Sequence, residues 1–341
     1  MKKNITLKDI AQKTGVHTST VSRALSPDAH SALTKEVIER IRTAAKTMGY
    51  RPNRLASGLR TSRTMTVGLL IPDITNTLFP PIVRGVESTL EPAGYASIIV
   101  NTDNDINREI KLVEVLLERG VDGIIDAAAH HSDPGIVEMA QGKVPIVTVN
   151  RLIDGASVPS VVNDDAAGIR MLLDHLYGAG HRYIAHIAGP KNLSTGLIRR
   201  QVFEKKTAEL GLEIPPHAII HADRFDEHAG WQCAERLFKS NWKFTAILCA
   251  NDRLAIGTID YLNKNGISCP DDISVTGFND SPFIDRIRPG LTTVRVEQFK
   301  VGKLSADLLV KMMKDPEAKI PHSTVLPVQL IKRESVSTPK E

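Results

Sequence analysis

The 341-residue sequence is poor in cysteine: Cys233, Cys249 and Cys269 are the only three, and no two stand at C-x-x-C spacing. That leaves no disulfide framework and no cysteine zinc site, and it points to a reducing compartment. No run of about 18 or more apolar residues occurs, so no membrane-spanning helix is expected. The opening M-K-K-N-I-T-L-K-D lacks the apolar stretch of a secretory signal. The expectation is a soluble, cytoplasmic protein. Catalytic signatures are missing too: no G-x-G-x-x-G follows a strand, and there is no phosphate-binding G-x-x-x-x-G-K-[ST] or G-x-S-x-G elbow. His217 and His221 stand four apart, but Pro215-Pro216 precede them and no carboxylate partner lies nearby in the strand-like run that follows. No metal, cofactor or enzymatic activity is therefore expected.

What is present is divided unevenly. Residues 1–63 hold 13 Lys and Arg against 4 Asp and Glu, whereas the rest of the chain is mildly acidic. A basic block at one end of an acidic body is an electrostatic footprint for nucleic acid. The basic residues are interleaved with helical apolar stripes, which a merely solvated tail would not show.

The stretch Thr6–Leu25 reads as two short helices and a turn. Thr6 followed by Asp9 has the shape of a capping box, with Asp in place of Glu. Leu7, Ile10 and Ala11 then form one apolar stripe, and Gly15 suits a turn at positive φ. In the second helix Val21 and Leu25 face inward, while Thr18, Ser19, Thr20, Ser22 and Arg23 lie on its polar side, with His17 just before it. Short hydroxyls and an Arg at the head of an exposed helix suit base edges and phosphates in a major groove. A third helix begins after Thr34, carries Val37, Ile41, Ala45 and Met48 inward, and ends at Gly49. Tyr50-Arg51-Pro52-Asn53 leads into Arg54-Leu55-Ala56-Ser57-Gly58-Leu59-Arg60. The seven residues Asn53–Leu59 are fewer than the roughly 12–15 an isolated helix needs, so this hinge is expected to fold only on DNA beside a partner hinge. Lys2, Lys3, Lys8, Arg51, Arg54 and Arg60 are candidates for phosphate contacts.

From Thr64 onward, buried strand-like runs alternate with helical patterns, the rhythm of parallel sheets covered on both faces. Two such halves, joined near residues 150–163, predict two lobes with a cleft between them. Ligands in such sheets sit beyond the carboxyl ends of strands. Asp73, Asn76 and Phe79 follow the first strand, Asn150 and Arg151 the fourth. Arg199 follows the G-P-K-N-L-S-T loop, and Asn251-Asp252 and Asn279-Asp280 follow later strands. Amides and a guanidinium suit hydroxyls and carboxylates, and an aromatic suits a sugar face. Asp252 and Asp280 could equally cap the helices that follow. His130-His131, after the third strand, are further candidates for the cleft.

The motifs T-L-K-D-I-A, G-V-H-T-S-T-V-S-R-A-L and G-Y-R-P-N-R-L-A, in this order ahead of such a body, resemble the LacI/GalR family of bacterial transcription regulators. The resemblance covers nearly the whole chain. It implies an N-terminal all-α helix-turn-helix headpiece (residues 1–49), a hinge (50–63) and an α/β two-lobed periplasmic-binding-protein-like core with parallel sheets (64–333), then a tail (334–341). One lobe would hold about 64–162 and 294–322, the other about 163–293 and 323–333. The candidate DNA contacts are Thr6, His17, Thr18, Ser19, Thr20, Ser22, Arg23, Tyr50, Asn53, Arg54 and Ala56, and the resemblance makes Leu59 a minor-groove wedge. The candidate effector contacts are Asn76, Phe79, His130, Asn150, Arg199, Asn251 and Asn279, of which Arg199, Asn251 and Asn279 match effector-contacting positions of the family and Asn150 the position of the usual Asp.

The sequence also departs from the family pattern. Asn150 and Asn279 stand where Asp is common, and Val296 where Gln is frequent. These changes make the cleft less acidic and tolerant of an anionic sugar. His17 stands where a capping Ser is usual, which weakens that cap and frees the ring to read a base. The expectation is a homodimeric repressor on a pseudo-palindromic double-stranded operator, controlled by a sugar or sugar acid. The rival is a sugar-binding protein of a transport system, which would need a signal peptide and no headpiece. No terminal heptads follow Arg333, so a tetramer is not indicated.

Overall fold

The computed structural model describes residues 5–25, 33–50 and 63–340. The chain divides into two compact units, Met1–Thr64 and Met65–Glu341. The hinge candidates Asn53, Arg54, Ala56 and Leu59, and the phosphate candidates Lys2, Lys3, Arg51 and Arg60, lie outside the described residues.

In the first unit α1 (Leu7–Thr14), α2 (Thr18–Ala24) and α3 (Lys35–Thr47) close around Ile10, Ala11, Val21, Ala24, Ile38, Ile41 and Ala45. The capping box forms as expected: Asp9 N–H donates to Thr6 Oγ1 and Thr6 N–H to Asp9 Oδ2. Gly15 and Gly49 both take φ of 67°, the left-handed turn a Cβ would strain. Thr34 holds the N-cap position of α3 but makes no side-chain capping bond.

The second unit holds two parallel sheets. The first has six strands in the order β11-β5-β4-β3-β1-β2: β1 (Thr66–Ile71), β2 (Ala96–Asn101), β3 (Gly123–Asp126), β4 (Ile146–Val149), β5 (Ser160–Asn163) and β11 (Ser323–Leu326). The second has four in the order β7-β6-β8-β9: β6 (Ile184–Ala188), β7 (Ile219–His221), β8 (Ala246–Cys249) and β9 (Ser274–Thr276). A small antiparallel pair, β10 (Thr293–Arg295) with β12 (Gln329–Ile331), completes the strands. The helices are α4 (Phe79–Leu90), α5 (Ile106–Glu118), α6 (Pro134–Ala140), α7 (Asp165–Gly178), α8 (Ser194–Glu209), α9 (Glu227–Lys239), α10 (Asp252–Lys264) and α11 (Gln298–Lys314). The strand interiors are buried on both faces, as a parallel sheet between helices requires.

The expected lobe boundaries shift in three places. Ser160–Asn163, read as linker, is strand β5. Residues 323–326, assigned to the second lobe, pair with β5 in the first sheet, Ser323 against Ser160 and Leu326 against Asn163. Residues 294–295, assigned to the first lobe, stay beside the second sheet, where Asn279 bridges to Arg295. Backbone pairing decides these positions, and strands of three or four residues carry no clear period. The tail is not loose either. Ser335 is fully buried, donates through Oγ to the Val275 carbonyl and receives Thr292 N–H. The Ser337 carbonyl contacts the His181 ring.

Candidate functional site

Two sets of residues were singled out, and each unit places one of them. In the first unit Val21 and Ala24 turn inward, so Ser19 and Arg23 are exposed on α2 and Thr18, Thr20 and Ser22 are half-buried beside them. His17 corrects the expectation of a weakened cap. It occupies the N-cap, and its Nδ1 lies 3.3 Å from Ser19 N and 2.8 Å from Ser19 Oγ. A ring nitrogen accepting from a backbone N–H leaves the proton on Nε2. The exposed ring thus caps the helix and still offers a donor outward. Tyr50 packs its ring against the headpiece core, and burial raises its phenol above the ordinary range.

In the second unit a single cleft is lined by Asn76 and Phe79, by Asn150, by Arg199, and by Asn251 and Asn279. These residues follow β1, β4, β8 and β9 or lie on α8, so they come from both lobes at the carboxyl ends of strands. Asn150 and Asn279 reach it from positive φ, 65° and 121°, a region that Asn tolerates better than most side chains. Arg199 is buried: Nε and Nη2 donate to Asp165 Oδ1 at 2.9 and 2.7 Å, Nη1 to the Ala250 carbonyl at 2.6 Å. Its guanidinium stacks 3.7 Å from the Phe278 ring centre. Three of its five N–H groups are thereby held, and two remain.

Several of the acceptors at the cleft are already engaged, those of Asn150 and Asn279 being the exceptions. Asn251 Oδ1 caps α10 by accepting Leu254 N–H, and Asn76 Oδ1 accepts Leu78 N–H. Asp226, also at the cleft, caps α9 and pairs with Arg224 at 3.0 Å. Asp73 receives Arg253 Nη1 at 3.0 Å, while Arg253 holds Glu227 with Nε and Nη2. Burial pushes the Asp73 carboxyl up, but the Thr75 bonds and Arg253 outweigh it and the net direction is downward. The Asp73–Arg253 pair links the two lobes, and a backbone bond from His131 N–H to the Asn192 carbonyl at 2.8 Å does the same. Free donors remain on Arg199 and on the Asn76 and Asn251 amides, with Arg151 alongside. Buried Arg151 gives one bond to the Ala128 carbonyl and one to Asn104 Oδ1.

His130 does not line the cleft and is corrected. It is buried, its Nδ1 3.0 Å from Glu109 Oε2. Asp252 and Asp280 are structural: Asp252 accepts Thr293 Oγ1 and Ser281 N–H, and Asp280 accepts Arg295 and Arg333. Burial pushes Asp252 up to about 6. Sequence reasoning did not include Asn104, Thr195, Arg224, Phe225 and Asp226 in the cleft. The rule of strand carboxyl ends would have found the last three, which lie just beyond β7.

Comparison with known proteins agrees with both halves. Residues 6–53 match the model for bacterial regulatory proteins of the lacI family, and residues 173–336 that for a periplasmic binding protein-like domain. The HTH-type transcriptional regulator RegA of Clostridium saccharobutylicum is 33% identical over 330 residues, 96% of this chain and 98% of that one. A lac repressor dimer bound to operator and an anti-inducer superposes with a TM-score of 0.87 at 24% identity, over 98% of this chain and all of that one, a likeness of fold. The transcriptional regulator CelR in complex with cellobiose superposes with a TM-score of 0.74 at 27% identity, over 97% of this chain and all of that one.

Proposed function

The chain belongs to the lacI family of bacterial regulatory proteins, and from that premise we propose that it is a repressor whose cleft takes a sugar acid. The helix-turn-helix unit makes it a DNA-binding transcriptional regulator. Ser19, Ser22, Arg23 and the outward nitrogen of His17 read the major groove of one half-site, assisted by Thr6, Thr18, Thr20 and Tyr50. A second copy reads the other half-site, so the operator is pseudo-palindromic. The hinge residues Asn53, Arg54, Ala56 and Leu59 complete the DNA contacts.

One observation carries the choice of ligand: the acceptors of Asp73, Asn76, Asp226 and Asn251 are engaged in caps and ion pairs, whereas donors on Arg199, Asn76 and Asn251 are left over and outnumber the free oxygens of Asn150 and Asn279. A ligand rich in acceptors, with a carboxylate beside its hydroxyls, meets such donors with charge-assisted bonds. Asn150 and Asn279 complete the polar wall and Phe79 the apolar floor. No residue set for turnover converges there, which favours a sensor over an enzyme. The transporter reading is not favoured, because a headpiece is present.

The test is an operator selection from random duplexes, followed by gel shift of the full-length protein with neutral sugars, aldonates and uronates. The expected result is selective binding that at least one sugar acid alters, with Arg199→Ala abolishing the response but not the operator binding. Failure to select any duplex sequence would overturn the regulator reading. A response to neutral sugars alone would overturn the choice of ligand.

A further inference from the structure

Behind the cleft wall, in the first sheet's lobe, four chemistry-bearing side chains meet in the interior. Glu109 projects from α5, Asp126 ends β3, and His130 and Asp133 lie in the loop between β3 and α6; all four are buried. Glu109 Oε2 and Asp133 Oδ2 lie 3.0 and 3.9 Å from His130 Nδ1. One ligand-capable atom from each of Glu109, His130 and Asp133 falls within 4.8 Å of the others.

The surroundings orient these groups and leave lone pairs over. Ala128 N–H holds Asp126 Oδ1 at 2.8 Å, Ile136 N–H holds Asp133 Oδ1 at 3.2 Å, and His130 N–H reaches Asp133 Oδ2 at 3.3 Å. The His130 ring also faces the Asn104 backbone carbonyl, the kind of partner that fixes a ligating imidazole. Meanwhile Glu109 Oε1 and Asp126 Oδ2 are fully buried and meet no N–H or hydroxyl donor, and the Glu109 carboxyl faces those of Asp126 and Asp133 at hydrogen-bonding range. Arg151, the nearby cation, spends its hydrogen bonds on two neutral oxygens and acts on Glu109 and Asp126 through its charge alone, one positive charge against three carboxyls. Three carboxyls so placed are costly to bury without a compensating charge.

We propose that this pocket is a closed structural site for a divalent cation of the zinc class, held by Glu109, His130 and Asp133 with Asp126 as fourth ligand. Imidazole and carboxylate oxygens in a small buried set suit that ion. The loop carrying two of the ligands reaches the surface at Ser132, which gives the ion its route inward. Bound there, it ties α5 to the β3–α6 loop and steadies Arg151 at the cleft.

The test uses full-length protein stripped by a chelator and dialysed, then titrated with Zn²⁺ against a chromophoric competitor and, separately, with Co²⁺ followed by visible absorption. One equivalent should bind, with a cobalt ligand-field spectrum and a rise in thermal midpoint. Glu109→Gln and His130→Gln, checked for native circular dichroism, should each weaken binding at least about tenfold. The proposal is overturned if the wild type binds no stoichiometric metal, which would leave the carboxyls closed by shared protons. It is equally overturned if both variants bind as the wild type does, which would place the ion at surface histidines.

Discussion

His186 sits in β6 without exposure, stacked on Phe203 with ring centres 4.5 Å apart, its Nδ1 on the Leu248 carbonyl. Burial is the main reason its pKa drops to about 4; the Leu248 bond opposes the shift. The folded pKa lies below the unfolded one, so the unfolded chain takes up a proton first as pH falls. Stability is therefore intact above about 6.5 and declines down to about 4, by about 3 kcal/mol in all. His186→Leu should remove this component. Urea midpoints at pH 7.5 and pH 5 should show the wild type losing about 2 kcal/mol more than the variant, and parallel losses would refute the assignment. The place of Asn150 and Asn251 at the cleft was legible because both follow the carboxyl ends of strands, although Asn251 also caps α10. His130 was not, because a histidine after a strand can turn outward to the cleft or inward to Glu109, and only tertiary packing chooses.

At the scale of elements, periodicity did most of the work and failed where elements were shortest. Helices α4 and α8, expected near residues 82–90 and 195–210, run over Phe79–Leu90 and Ser194–Glu209, whereas residues 300–314 were expected only as a crossing between the lobes and form most of helix α11. Strands β5 and β10, four and three residues long, offered no period to read. The crossing of α4 and α11 was also hidden, since its determinant is the absence of side chains. A Cβ on Gly85 would run into the Phe299 carbonyl, and one on Gly302 into the Ile82 carbonyl. Both obstacles are backbone, so neither can rotate aside. Gly85→Ala and Gly302→Ala should each cost about 2–3 kcal/mol in chemical denaturation, despite the helix propensity gained. A loss below about 0.5 kcal/mol would mean the helices separate more easily than their packing implies.

At the scale of the whole core, the lobes are joined at the cleft by a charge pair between Arg253 and Asp73, each largely shielded from water. A partly shielded pair of this kind is worth about 1 kcal/mol. Arg253→Ala should shift the core toward an open arrangement, measured as a larger radius of gyration by solution scattering. Effector affinity should change about fivefold, as that energy implies. Identical scattering profiles would show that the pair decorates the closed arrangement without holding it. Two lobes were readable from the repeated strand–helix rhythm, but the return of Ser323–Leu326 to the first sheet was not, because nothing local marks which sheet a late strand joins.

That returning strand has a consequence for how the protein is made. Until Ser323 has left the ribosome, β5 is a bare sheet border with unpaired amides and carbonyls. Every nascent copy thus carries β5 as an open edge through synthesis of the entire second lobe, and its closure waits on a strand encoded about 160 residues downstream.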